Sequence, residues 1–321
     1  MRRLLVLPAA VLLLLVPAAG ARTGAPQAAI FYYPWYGTAS RDGAFLQWRL
    51  NGHSPPADIA SDYYPARGVY SSSDPSVLDA QMSDIAQAGI QEIVVSWWGR
   101  RSAQDVLLPE VIAAAGTHGL AVAVHLEPYD GRTVAGTGAD IAYLSALGIH
   151  DFFVYRPTDF PAPEWAALRP TPSGVRLFAQ TRLVGFAKAG GFDGVYTYDV
   201  LVDAGRTFRL LCSEAHRAGL ACLPSVGPGY NAGRATGDIR VKPRSDGATY
   251  DAMWTAALRA GADVVTITSY NEWLEGTQIE PARTRAGYDS YAGAWSRQGP
   301  QATRAYLDRT AFWTARLAAR G

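Results

Sequence analysis

Short apolar runs rich in Val, Ile and aromatic residues alternate along this chain with longer stretches of helical character. The short runs read as buried strands and the longer ones as helices. Eight strand-like runs lie near Ala28–Tyr33, Glu92–Trp97, Ala121–Leu126, Asp151–Tyr155, Val175–Gln180, Gly194–Tyr198, Ala221–Val226 and Asp263–Thr268. Helical stretches between them include Pro75–Ala88, Ala103–Thr117, Gly205–Ala218 and Gly247–Ala260, and a last one runs from about Gln301 to Ala319. Ala88-Gly89, Ala218-Gly219 and Ala260-Gly261 put a Gly just past a helix, where a left-handed residue can close the last turn. Strict strand–helix alternation predicts parallel strands with helical crossovers. Eight repeats predict closure into a (β/α)8 TIM barrel, an α/β fold in a single domain over residues 22–321.

Ahead of that domain stand Met1-Arg2-Arg3, an apolar run from Leu4 to Val16, and Ala19-Gly20-Ala21. A positive start, an apolar stretch and a small-residue cleavage site make residues 1–21 a secretory signal peptide. The run is shorter than the roughly 20 residues that cross a bilayer, and no Cys follows it to carry a lipid. The mature protein is expected to be extracellular, free of the membrane and monomeric.

Charge narrows the partners. The formal net charge is +1, and removal of Arg2 and Arg3 leaves −1. Near-neutrality offers no basic face to nucleic acid. Tyr33-Pro34-Trp35-Tyr36-Gly37 follows the first strand, where a Rossmann fold would carry its Gly-rich turn. No cofactor is therefore expected. Cys212 and Cys222 fall in a helix and the strand after it, and are either bridged or two small buried thiols. They are too few to hold a metal.

In such barrels the chemistry gathers at the C-terminal strand ends. The residues there are aromatic and polar: Trp35 and Tyr36, then Trp98, Glu127 and Tyr129, then Tyr198, Tyr230 and Arg234, and finally Tyr270-Asn271-Glu272-Trp273-Leu274-Glu275-Gly276. Glu272 and Glu275 directly follow a buried strand and are spaced to reach one ligand. Glycosidic cleavage uses such a pair, one residue protonating the leaving oxygen and the other serving as nucleophile or base. An oligosaccharide or polysaccharide is the expected substrate. Glu127 either contacts sugar or pairs with Arg132. His125 is assigned to the barrel interior. Of Trp97 and Trp98, one faces the core and one the rim. Asp79 and Asp84 are read as surface charges on the first helix, and His118 and His216 as helix-end residues.

Asn271 to Ala282, NEWLEGTQIEPA, resembles the signature of glycoside hydrolase family 99, the endo-α-mannosidase and endo-α-mannanase family. FYYPWYG from Phe31, SWWG from Ser96, HLEPYDGR from His125, DGVYTY from Asp193 and SVGPGYN from Ser225 extend the resemblance in the same order over most of the mature chain. It implies a retaining endo-hydrolase of α-mannosides that works without a sugar ester on the enzyme. Glu272 would take the proton of the sugar's 2-hydroxyl, and Glu275 would be the acid/base. Tyr33, Trp98, Glu127, Tyr198 and Arg234 would line the pocket, with no metal. The chain departs from the pattern at Leu274, where the family usually has His, and at Tyr155-Arg156-Pro157-Thr158-Asp159, where it tends to have a Tyr-Asp-Ser-Tyr-His-like run. Substrate identity is what these departures touch: an α-glucan, or binding without turnover, are the alternatives.

Overall fold

In the computed structural model, which describes residues 27–320, eight parallel strands form a ring. The export signal expected at residues 1–21 lies outside the described residues. The strands are β1 (Gln27–Tyr32), β2 (Glu92–Trp97), β3 (Ala121–Leu126), β4 (Asp151–Val154), β5 (Arg176–Gln180), β6 (Gly194–Tyr196), β7 (Ala221–Leu223, then Ser225–Val226) and β8 (Val264–Ile267). Each pairs with its neighbours in sequence, and β1 pairs with both β2 and β8. Pro224 splits β7, because proline has no N–H to give to a ladder. The half before it pairs with β6 and the half after it with β8, which closes the barrel.

A helix follows every strand: α1 (Pro75–Gln87), α2 (Ala103–Thr117), α3 (Val134–Ala146), α4 (Ala162–Ala166), α5 (Val184–Ala189), α6 (Phe208–Arg217), α7 (Ala248–Ala260) and α8 (Ala305–Ala318). Asp74, Ser102 and Thr133 cap α1, α2 and α3 by accepting backbone N–H groups of the first turn. Gly89, Gly219 and Gly261 all have φ near +70°, the left-handed stop their positions predict. Two helices begin later than their sequence suggests. Gly205 is itself left-handed, so α6 waits until Phe208. Residues 299–302 form a separate 3-10 turn around Pro300, so α8 starts at Ala305.

The barrel interior is aromatic. Phe31 packs against His125, Phe153 and Tyr198 at centroid distances of 4.8, 5.8 and 5.0 Å. Trp97 is fully buried and its indole N–H donates to Asp105, whereas Trp98 is 38% exposed. Trp97 is thus the core residue and Trp98 the rim residue. Cys212 and Cys222 are bonded, stapling α6 to β7.

The long segment from Thr38 to Ser73 folds over the mouth of the barrel on the β8 side. Trp48 within it is fully buried and donates to the Tyr70 carbonyl, and Tyr64–Pro65 pairs antiparallel with Ala282–Arg283.

Asp84 corrects the sequence reading. It is buried and receives Arg67, Arg304 and the Tyr270 hydroxyl, because α1 turns this face toward the rim segment and the approach to α8. Asp79 on the same helix is exposed, as expected, and pairs with His118. Asp84→Ala leaves Arg304 without its carboxylate and takes from Arg67 the nearer of its two. It is expected to cost about 2 kcal/mol or more in urea unfolding, while Asp79→Ala stays within about 0.5 kcal/mol. Equal stabilities for the two variants would show that the Asp84 cluster holds nothing together.

Candidate active site

The segment after β8 is a closed loop. The Ser269 N–H donates to the Thr277 carbonyl at 3.0 Å, the Ile279 N–H to the Ser269 carbonyl at 3.0 Å, and the Glu280 N–H to the Tyr270 carbonyl at 2.8 Å. Entry and exit therefore lie side by side, with Asn271 to Gly276 projecting between them. Asn271 ties this loop to the end of β1. Its side chain accepts the Tyr33 N–H at 2.8 Å and donates to the Tyr33 carbonyl at 3.0 Å. The Tyr36 hydroxyl donates to the Asn271 carbonyl at 2.9 Å and accepts the Trp273 N–H at 3.0 Å.

Glu272 sits deep in this frame. Its N–H donates to Ser269 Oγ at 2.9 Å, and its Oε1 accepts the Leu274 N–H at 3.0 Å. Burial pushes its carboxyl well above the ordinary carboxylate range, and the charge of Glu275 pushes the same way. The backbone N–H groups of Leu274 and Glu275 pull against that rise. Glu275 is half-buried and opens onto a cavity of about 190 Å³ lined with Tyr155, Tyr198, Asp199, Tyr230, Arg240 and Thr268. Burial, with the charges of Asp199, Glu127 and Asp238 behind it, pushes Glu275 up to about 7. Two carboxyls with raised pKa values on one loop at the barrel mouth are what acid–base catalysis requires.

The loop is also held from the β7 side. The Asn231 N–H donates to the Glu275 carbonyl at 2.8 Å. Gly276, at φ +62°, lies so close that a Cβ would meet Asn231 O at 2.8 Å. Arg244 donates to the carbonyls of Gly276 and Gln278 at 2.9 and 2.7 Å, its guanidinium enclosed by the rings of Tyr63, Tyr291 and Tyr306.

The other candidates divide by position. Tyr33 and Tyr198 share a hydroxyl–hydroxyl hydrogen bond, and both hydroxyls are pushed up by burial and by the glutamates. Tyr230 borders the Glu275 cavity and donates to Asp238. Trp98 and Tyr129 line a second hollow of about 510 Å³ with Arg100 and Asp130. Trp35 lies against Tyr33 at 4.8 Å and packs with Leu274, Ala60 and Ala235 in an apolar wall. Glu127 accepts from Ser96 Oγ and bonds His125 Nδ1, both at 2.9 Å, while His125 Nε2 meets the Tyr196 hydroxyl.

Several expectations need correction. Glu127 does not pair with Arg132, whose donors are taken by the carbonyls of Leu126, Tyr155 and Arg156 at the strand ends. Tyr36, Asn271 and Trp273 are buried with their side-chain polar groups bonded to protein, and they brace the loop that carries the glutamates. Arg234 is engaged by Asp58, the Ile59 carbonyl and the Tyr288 ring, and does not border the Glu275 cavity. Tyr155, Asp199, Arg240 and Thr268 border it without having been named as site residues. Tyr155, Asp199 and Thr268 sit at or just past strand ends, so reading the end of every strand as closely as the last would have found them.

Comparison with known proteins follows the same lines. The model of glycosyl hydrolase family 99 matches residues 26–162 and 174–319. A glycoprotein endo-alpha-1,2-mannosidase-like protein of Danio rerio is 32% identical over 341 residues, spanning 88% of this chain and 76% of its own. A glycoprotein endo-alpha-1,2-mannosidase of Xenopus laevis is 30% identical over 357 residues, spanning 89% and 76%. The solved endo-alpha-mannosidase of Bacteroides thetaiotaomicron superposes with a TM-score of 0.82 at 28% identity, covering 91% of this chain and 97% of that one. With this match of sequence, barrel and carboxylate-bearing mouth, the chain belongs to glycosyl hydrolase family 99, the endo-α-mannosidase family, and is a glycoside hydrolase.

Proposed function

We propose that the chain is an exported, retaining endo-hydrolase of α-mannosidic linkages in mannan or mannose-rich glycans, with Glu272 and Glu275 as its catalytic carboxyls. The observation that carries this reading is their unequal setting on one loop. Glu272 is deep, with Oε1 fixed by a backbone N–H that favours its anion, whereas Glu275 opens onto the cavity. Two carboxyls set in such different surroundings on one loop suit one base and one acid.

In an α-mannoside the 2-hydroxyl lies trans to the leaving group. Glu272 takes the proton of that hydroxyl, O2 forms a bond to the anomeric carbon, and the glycosidic C–O bond breaks. Glu275 delivers its proton to the departing oxygen. A water then opens the 1,2-anhydro sugar, losing its proton to Glu275, while Glu272 returns a proton to O2. Net retention follows from two displacements at one carbon. The apolar wall at Leu274 favours a second reading of the adjoining subsite, in which a glycan such as an α-glucan is the substrate.

Purified protein incubated with α-1,2/α-1,6-mannan and, separately, with α-1,3-glucan is expected to release oligosaccharides from the mannan. Release from glucan alone would replace the mannoside reading. Glu275→Gln and Glu272→Gln should each lower kcat by about 1,000-fold or more on an unactivated glycan, and a fully active Glu275→Gln would remove the acid assignment. Stability supplies an independent check. A carboxyl raised in the fold stabilises it below the unfolded value near 4.5, and that contribution is lost as pH rises through about 7. Glu275→Gln should therefore melt about 2–4 °C above the parent at pH 8 and level with it at pH 4. A variant no more stable at pH 8 would contradict the raised pKa. Export is supported by the pattern of residues 1–21 and by the Cys212–Cys222 bond, which persists in oxidising compartments. Mass spectrometry of the secreted protein should find a new N-terminus close to residue 22, and an intact chain kept inside the cell would refute it.

A further inference from the structure

Behind the glutamates lies a carboxylate that no step of the reaction uses. Glu280, at the exit of the β8 loop, is fully buried. Its Oε2 accepts the Trp273 indole N–H at 2.8 Å and the Tyr70 hydroxyl at 2.7 Å, and its Oε1 accepts Gln81 Nε2 at 2.9 Å. Arg67 Nε stands 3.5 Å from the same Oε1. Gln81 is oriented in turn by the Tyr32 hydroxyl, which donates to its Oε1 at 2.6 Å. Groups from α1, the rim segment and the loop itself thus converge on one side chain, with β1 reaching it through Gln81.

We propose that Glu280 is the positioning residue of this site: by holding the Trp273 indole it fixes the backbone from which Glu272 and Glu275 project. The inference rests on the reading that those two residues do the chemistry. Trp273 is the residue between them in the loop that is gripped at both ends, its N–H by the Tyr36 hydroxyl and its indole by Glu280 and Tyr70. The next N–H along the chain, that of Leu274, is the donor that sets Glu272 Oε1. A shift of the indole is therefore passed through one peptide unit to the base, and two residues further to the acid.

The chemistry of the Glu280 pocket favours a carboxylate over any shape-matched substitute. Burying a charge is costly, and an apolar side chain would avoid that cost. What the carboxylate supplies is a pair of oxygens that accept several donors from fixed directions. Glutamine has the same shape but carries an NH2. As the site stands, every group hydrogen-bonded to Glu280 donates to it, so the amide's NH2 meets a donor, and the Trp273 indole loses its partner or Gln81 or the Tyr70 hydroxyl has to reverse.

The test compares the parent with Glu280→Gln, Trp273→Phe and the double variant, each judged on the folded fraction in urea unfolding. On α-1,2/α-1,6-mannan, Glu280→Gln is expected to lower kcat about 10- to 100-fold with KM changed less than about threefold, the pattern of a misplaced catalytic group. Trp273→Phe should fall in the same direction, and the double variant should be no worse than the poorer single one, because both changes cut one link. Hydrogen exchange reads the same claim without turnover. In Glu280→Gln the Leu274 amide should lose about 10-fold or more of its protection while the β2 amides keep theirs.

Unchanged kcat in a folded Glu280→Gln, multiplicative losses in the double variant, or exchange that rises equally in loop and barrel would each overturn the inference. If Glu280→Gln does not fold, Trp273→Phe and Tyr70→Phe each remove one donor and keep the carboxylate, and the Leu274 amide decides. Should the parent cleave neither mannan nor glucan, the functional reading fails while the exchange result still stands or falls on its own.

Discussion

The side-chain amide of Asn271 behaves as one more rung of the barrel. It takes the N–H and meets the carbonyl of Tyr33 as a neighbouring strand would, just beyond the last backbone pairing of β1 with β8. Backbone groups at the end of a strand need partners when they are buried. Here the partner is a side chain that belongs to the catalytic loop. The requirement to satisfy Tyr33 thereby sets where the loop leaves the barrel, and the positions of Glu272, Trp273 and Glu275 follow from it.

Three glutamates in one loop, two of them buried and one half-buried, are treated in three ways. Glu280 is met by donors on both oxygens and is held still. Glu272 has a backbone N–H on one oxygen, enough to orient it. Glu275 receives no hydrogen bond on its side chain from the described residues and borders open volume. The progression runs from a carboxyl bonded on both oxygens to one bonded on neither by the described residues. Most of the loop's side-chain hydrogen bonds thus go to Glu280, which leaves Glu275 open to whatever enters the cavity.

Much of this was legible in the sequence. The strands are continuous β-branched and aromatic runs because they are buried on both faces, so their bounds differ from the sequence reading by two residues at most. Reading the ends of those strands pointed to Glu275, Tyr198 and Tyr230, which the fold places around one cavity, and to Trp98 at the rim beside a second hollow. Long-range partners were not legible. Asp84 looks like a surface charge on an amphipathic helix until Arg304, 220 residues away, arrives beside it. Glu127 and Arg132 are close in sequence, yet the strand-end carbonyls claim the arginine. Trp273 and Tyr36 have the composition of sugar platforms, and nothing local reveals that their polar atoms are already occupied by protein.

The near-contact between Gly276 and Asn231 has a consequence for redesigning this scaffold. Two main chains touch there with no side chain between them, so the β7 and β8 loops form a single rigid lip. Beyond that weld, Ala232 and Ala235 are buried, and the chain reaches solvent at Thr236, Gly237 and Ile239. A library confined to Thr236 and Ile239, with Asn231, Gly276 and the cavity-lining Arg240 kept, would vary exposed surface beside the mouth while the lip and the Glu275 cavity stay as they are.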